Sequence, residues 1–338
     1  MGGGGDYYDR DVTSTSRRGS QGYSDVAESI MSKSLVDKAL LPKNRKLVTK
    51  VKNPLICPFD VTGSMGALPK ILCDKWAMVV GQIYLNKYLD PKETEVSLSA
   101  VGDTLSDKAP IQICDFSKLR SLDEWLSRIW LEGNGGGQAK ESYEFNAYFY
   151  ARRCDMPNAE TPIYVCTGDE GFRENLIASD LKEYFGGKHE NISAWAVFNE
   201  LKTKFKGNVF LIHKEYCSGD DWILKQWQRA LGKEHVIILP EDLAIADIML
   251  GVIALASGAR TLYQYVEDMK KRPLDLGGEK FAPQSPERIR EVRGALEELA
   301  SYLASSKKVS VRTEKESSKP ERTKPDKKDA KQNKGFTL

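Results

Sequence analysis

The strongest constraint on this chain is a set of short apolar runs, each too brief to be a helix and each set apart by stretches of helical period. Residues 55–59, 162–167, 209–213 and 236–239 are such runs, and residues 95–101 and 111–116 add two further strand-like segments. Brief, continuous apolar runs are the signature of strands buried on both faces. The intervening stretches read differently. After residue 59, Leu68, Leu72, Trp76, Val79, Val80 and Ile83 fall on one helical face. Residues 119–131, 141–153, 222–231 and 242–256 also have helical character. Strands separated by helices require crossover connections, and crossovers give a mostly parallel sheet with helices on both faces. The expected fold is therefore α/β and doubly wound, with six strands. The turn residues between 95–101 and 111–116 allow these two strands to pair antiparallel. Pro58 falls inside the first strand, where it removes a ladder hydrogen bond, which is tolerable near the strand's end.

Composition narrows the possible functions. Hydrophobic residues make up 41% of the 338, enough to bury a core. A formal charge of +2 gives the whole molecule no strong attraction for nucleic acid. The six cysteines form no C-x-x-C pair and there are only three histidines, so zinc spacing is absent. Cys57, Cys114 and Cys166 sit in apolar runs and read as small hydrophobes in a reducing compartment, without disulfides. The first residues, Met1-Gly2-Gly3-Gly4-Gly5-Asp6, carry no apolar signal core and miss the myristoylation pattern. No run of about 18 apolar residues exists, so the expectation is a cytoplasmic chain without membrane contact.

The two ends differ from the middle. Residues 1–45, rich in Gly, Ser, Arg and Asp, are expected to be a flexible tail, with a short helix possible over residues 30–41. Residues 259–305 read as a helical extension. In it, Ser285-Pro286-Glu287 has the form of a helix start, and Ile289, Val292, Leu296, Leu299 and Leu303 form a stripe that should pack back on the core. From Lys307 to Leu338 there are eleven Lys and Arg against five Asp and Glu. The expectation for residues 306–338 is a disordered basic tail that aids solubility and makes weak contact with nucleic acid or an acidic surface.

The candidate site follows the first strand. In doubly wound sheets, ligands lie beyond the carboxyl ends of strands where strand order reverses. Asp60 stands at such an end, followed by Val61, Thr62, Gly63, Ser64, Met65 and Gly66. One carboxylate and two hydroxyls at alternating positions can face a single point. Hard oxygen donors in this number suit Mg²⁺, or Mn²⁺ in its place.

At these residues the chain resembles the von Willebrand factor A family. That family carries Asp-x-Ser-x-Ser after its first strand as the first part of a metal-ion-dependent adhesion site, and Asp60, Thr62 and Ser64 match it with threonine for the first serine. The resemblance covers roughly residues 46–258 and looks like an intracellular variant. It implies one domain with five parallel strands and an antiparallel strand at the edge. It also implies two further metal loops. Asp169, in Gly168-Asp169-Glu170 after the strand at 162–167, matches the later aspartate of the family. The glycine-rich loop Gly133-Asn134-Gly135-Gly136-Gly137-Gln138-Ala139-Lys140-Glu141-Ser142 lacks the family's usual threonine. Ser142 is its nearest hydroxyl, with Gln138 or Glu141 as possible substitutes. The function so implied is metal-dependent binding of a protein partner, whose exposed carboxylate completes the metal's coordination. Intracellular relatives often work beside AAA-type ATPases, which makes such a machine a candidate partner.

Two other readings stay open. A metal-dependent phosphate-handling enzyme at the same face would use Asp60 as nucleophile, but Thr62 stands where a second acid is usual. A scaffold that no longer uses a metal is suggested by the missing loop threonine. The glycine run lacks the contiguous Gly-Lys-Ser/Thr of a phosphate loop. Asp103 and Asp107 read as ordinary loop acids that reach the rim of the same face if the strand at 95–101 lies beside the first, and Trp125, Trp130, Trp222 and Trp227 are expected in the core.

Overall fold

The computed structural model describes residues 36–118, 121–133, 139–215, 221–272 and 284–317. Its centre is a six-stranded sheet built from β1 (Asn53–Asp60), β2 (Thr94–Val101), β3 (Ile111–Ile113), β4 (Ile163–Gly168), β5 (Val209–His213) and β6 (Val236–Ile238). The spatial order is β6-β5-β4-β1-β2-β3. All neighbours run parallel except β2 and β3, whose antiparallel register pairs Ser99 with Ile113 and Val101 with Ile111. The doubly wound, mostly parallel sheet with one antiparallel edge strand is thus the architecture found.

Alternation along the strands feeds two cores. Leu55, Cys57 and Phe59 of β1, Ile163 and Val165 of β4, and Phe210 and Ile212 of β5 face one side. Ile56, Tyr164, Cys166, Val209 and Leu211 face the other. The first side is covered by α1 (Leu68–Asn86), α2 (Leu122–Leu126), α7 (Ile245–Ala256), α8 (Leu262–Lys271) and α9 (Pro286–Ser317). The second is covered by α3 (Tyr143–Arg152), α4 (Ala178–Phe185), α5 (Ala194–Lys204) and α6 (Asp221–Leu231). Buried on both faces, these strands read as near-continuous apolar runs.

Pro58 leaves a visible mark. Against β4, β1 pairs at Leu55 and Ile56 and resumes at Phe59, with the break at Cys57 and Pro58. The missing N–H of proline accounts for a gap at this place.

The C-terminal helices join the first core. Val292, Leu296 and Leu299 are buried there with Tyr265 and Met269 of α8. Ser285 caps α9 by accepting the N–H of Arg288 at 3.1 Å. The helix reaches Ser317, the last described residue, past residue 306 where the basic tail was expected to begin. Residues 1–35 of the N-terminal tail and residues 318–338 of the basic tail lie outside the described residues. At the other end, Lys38–Leu40 forms a single 3₁₀ turn. The five described cysteines are buried and free. Among the described residues no helix is long and apolar enough to cross a membrane.

Candidate metal centre

Strand order reverses at β1. Its sequence successor β2 lies on one side and β4 on the other, so the crevice opens between the carboxyl ends of β1 and β4. Asp60 is the last residue of β1, and Asp169 directly follows β4. Both side chains are fully buried.

The Asp60 loop folds around its own carboxylate. Oδ1 accepts the backbone N–H of Thr62 at 2.8 Å and the Thr62 hydroxyl at 2.6 Å. The hydroxyls of Thr62 and Ser64 lie 3.2 Å apart. A 3₁₀ turn over Gly63–Met65 then leads into α1, which carries a proline in its first turn. Ser64 is half-buried, so the cluster of three oxygen-bearing side chains opens to solvent on its side. At the loop's far end, the Lys214 ammonium donates to the carbonyl of Met65 at 2.9 Å and to Asp242 Oδ2 at 3.2 Å.

Electrostatics couple the two loops. Burial pushes the Asp60 carboxyl up to about 8, and the negative charge of Asp169 adds to the shift, against the hydrogen bonds from Thr62 and Tyr143. Two buried carboxylates repelling one another beside two hydroxyls make a donor set that a hard divalent cation fits. Among the described residues no group of three or more His, Cys, Asp or Glu is placed to hold a metal. The set here is of another kind, two carboxylates and two hydroxyls.

The third loop behaves differently. Gln138 lies outside the described residues, but both ends of its segment are pinned. Gly133 N–H donates to Val61 O at 3.3 Å, and Gly171 N–H donates to Ala139 O at 3.2 Å. The glycine-rich loop therefore starts at the Asp60 loop and returns beside Asp169. Ser142 is fully buried, yet its hydroxyl is engaged away from Asp60. It accepts the N–H of Thr104 at 2.9 Å, donates to Thr104 Oγ1 at 3.0 Å and accepts from Arg173 at 3.2 Å. Arg173 also pairs with the buried Asp103 at 2.6 Å. Glu141 is closer to the centre in its electrostatics. Burial raises its carboxyl to about 10, with Asp60 the foremost of the neighbouring charges, and its Oε2 accepts no hydrogen bond from the described residues.

Spacing in the sequence did not identify Tyr143. Its phenol donates a short hydrogen bond to Asp60 Oδ2, the oxygen that Thr62 leaves open. Nor was the apolar rim foreseen. Leu105, Trp222 and Leu243 are exposed at 62%, 42% and 41%, each in a segment that follows the carboxyl end of a strand. Trp222 was expected in the core. It instead lies at the start of α6 with Lys140 Nζ 5.8 Å from its ring, while Trp227, five residues on and so on another face of the helix, is buried.

No family model matches this chain, and no curated protein matches it. Solved structures do. The pilus adhesin SpaC from Lactobacillus rhamnosus GG is similar at 11% identity and TM-score 0.39, over 63% of this chain and 32% of that one. A von Willebrand factor type A protein from Catenulispora acidiphila is similar at 15% identity and TM-score 0.36, over 66% and 52%. The type V pilus tip protein Mfa5 from Porphyromonas gingivalis is similar at 13% identity and TM-score 0.37, over 64% and 53%. The match spans about a third to a half of those chains. The likeness is distant, and it decides nothing about ligand or partner.

Proposed function

We propose that this chain is a metal-dependent protein-binding module, with Mg²⁺ or Mn²⁺ held by Asp60, Thr62, Ser64 and Asp169 and a partner carboxylate completing the site. The carrying observation is the placement of two fully buried carboxylates, Asp60 and Asp169, on either side of the sheet's switch crevice. The two carboxylates repel one another, and a positive charge between them offsets that repulsion. The cation would supply that charge and one open position, which the partner's acid fills. Thr62 and Ser64 supply neutral oxygens, and the half-buried Ser64 marks the solvent side. Ser142 joins this set only by releasing Thr104 and Arg173, whereas the Glu141 carboxyl already feels the charge of Asp60.

Binding is favoured over chemistry at this face. An enzyme using Asp60 as nucleophile would need a second acid for metal and proton transfer, and Thr62 stands where that acid is usual. The partner is proposed to be a protein with an exposed Asp or Glu, an AAA-type ATPase being one candidate. Calorimetry with Mg²⁺ and Mn²⁺, paired with thermal melts, tests the reading. A cation at about 100 times its Kd should stabilise the fold by about 2.7 kcal/mol. The variant Asp60→Asn should lose this response and also lose partner capture. Capture that persists undiminished in excess chelator would refute the proposal.

A second reading, a scaffold without metal, is favoured by one observation. The hydroxyl of Ser142, the nearest in the third loop to the family's threonine, is committed to Thr104 and Arg173. The same calorimetry separates the two, since a scaffold would give no heat with either ion.

A further inference from the structure

We propose that Tyr143 is a positioning residue of the candidate metal centre: a phenol clamp that fixes the Asp60 carboxylate from the opposite side to Thr62. The proposal rests on the metal-binding reading above and assigns the third loop's contribution to Tyr143.

Four observations converge on this side chain. Its hydroxyl donates to Asp60 Oδ2, while Thr62 donates to Oδ1 from backbone and side chain. With donors on both oxygens, the carboxylate plane cannot rotate. Second, the phenol lies hard against the backbone before Asp169. A Cβ added to Gly168 would stand 2.1 Å from the Tyr143 oxygen, so glycine is what lets the ring reach across the crevice. Third, Trp227 packs edge-on to the ring, with centroids 5.3 Å apart. Its indole N–H donates to Glu170 O at 2.9 Å. The wall behind the phenol is thus tied to the same loop as Asp169. Fourth, Tyr143 is the first residue of α3, and the preceding Ser142 anchors to Gly102 O through its N–H at 3.0 Å. The ring is therefore carried on a helix start fixed to the β2 end.

Partners that orient a metal ligand from behind are commonly worth a factor of 10 to 100 in metal affinity. The phenol supplies this to Asp60, with its ring packed between the two metal loops. This also accounts for the Ser142 hydroxyl. It is free to hold Thr104 and Arg173 because its neighbour serves the metal centre.

The test is calorimetry of the full chain with Mg²⁺ and with Mn²⁺, comparing wild type with Tyr143→Phe. Phenylalanine keeps the ring against Trp227 and Gly168 and deletes only the hydroxyl. The expected result is a loss of affinity of about 10- to 100-fold for both ions. Tyr150→Phe is the control. That hydroxyl is also buried and lies 2.7 Å from Ser97 Oγ, away from the site, so its loss should leave metal affinity unchanged. A purely structural role for Tyr143 predicts equal behaviour of the two variants. The clamp also predicts a tyrosine difference spectrum on adding Mg²⁺ that Tyr150→Phe retains and Tyr143→Phe loses. If Tyr143→Phe does not fold, Gly168→Ala carries the test, because it keeps the phenol but displaces it and should weaken the ions likewise. Equal affinity of wild type and Tyr143→Phe would overturn the clamp and leave the metal reading standing. No heat from wild type would overturn both.

Discussion

The ammonium of Lys214 donates to the backbone carbonyl of Met65 at 2.9 Å, tying the end of β5 to the Asp60 loop across the intervening strand β4. This contact, with the ion pair to Asp242, holds the loop's exit rather than its ligands. We predict that Lys214→Met lowers stability by about 1 kcal/mol, the usual net value of one charged hydrogen bond after partial exposure is allowed for. Thr62 and Ser64 are held separately, so the candidate metal centre should keep its affinity within a few-fold. Urea unfolding with and without Mg²⁺ checks both halves, and an unchanged midpoint would mean the loop holds itself.

Much of the fold could be read because the central strands are buried on both faces. Residues 55–59 and 209–213 are nearly all apolar, which no exposed segment requires. Two helices lie outside the stretches that the sequence pattern marks as helical. Ala194–Lys204 carries a legible pattern, with Ala194, Val197, Phe198 and Leu201 buried at the spacing of one helical face. Ala178–Phe185 buries only Leu181 and Phe185, too few for periodicity to declare itself. The site divides in the same way. Asp60, Thr62 and Ser64 are local, so their spacing alone brings them together. The contact of Tyr143 with Asp60 spans 83 residues and depends on the missing Cβ of Gly168. No short-range pattern encodes such a pair. Ser142 was the natural choice from the sequence as the nearest hydroxyl, but only the packing of α3 against the segment after β2 determines where its oxygen points.

The exposed indole of Trp222 follows the carboxyl end of β5, the same end of the sheet as the candidate metal centre, with Lys140 Nζ 5.8 Å from its ring. Exposed aromatics at interface centres are frequent sources of binding energy. We predict that Trp222→Ala weakens partner capture about tenfold, with little effect on melting temperature because the ring is only partly buried. Titrating wild type and variant against the captured partner, in the presence of Mg²⁺, decides the matter. Equal affinities would remove Trp222 from the binding face.

His235 gives the fold a dependence on pH. It is buried beneath α9, stacked on Phe210 with centroids 4.9 Å apart and edge-on to Tyr302, with Nδ1 placed 2.9 Å from Val209 O. Burial lowers its pKa below the ordinary value of 6.5, against the opposing effects of Val209 O and Glu234. The unfolded chain therefore takes up this proton first as pH falls. The contribution is complete above the unfolded value and is lost as pH drops through 6.5 towards the folded value. Stability should decline between about pH 7 and pH 5. His235→Asn, which keeps a donor for Val209 O, should show a shallower decline. Chemical denaturation at several pH values measures it, and parallel slopes for the two proteins would locate the proton uptake elsewhere.

The docking of α9 depends on a residue without a side chain. A Cβ on Gly251 of α7 would stand 2.3 Å from Leu296 Cδ1 and 2.9 Å from Cε1 of Tyr265. Leu296 is fully buried and sits at the middle of the α9 stripe, between Val292 and Leu299. Tyr265 is no freer to move, because its hydroxyl donates to Asp247 O in the first turn of α7. The added methyl must therefore displace either α9 or the whole α8 contact. Overpacking of this kind costs roughly 1–3 kcal/mol, which outweighs the gain of up to about 1 kcal/mol that alanine normally brings to a helix interior. We predict that Gly251→Ala is destabilising, and that Leu296→Ala in the same chain recovers part of the loss by vacating the space. Leu296→Ala alone should cost about 2–5 kcal/mol, so the double variant tests coupling rather than simple repair. If the two effects add without interaction, Gly251 and Leu296 do not share the contact and α9 is held by its other residues.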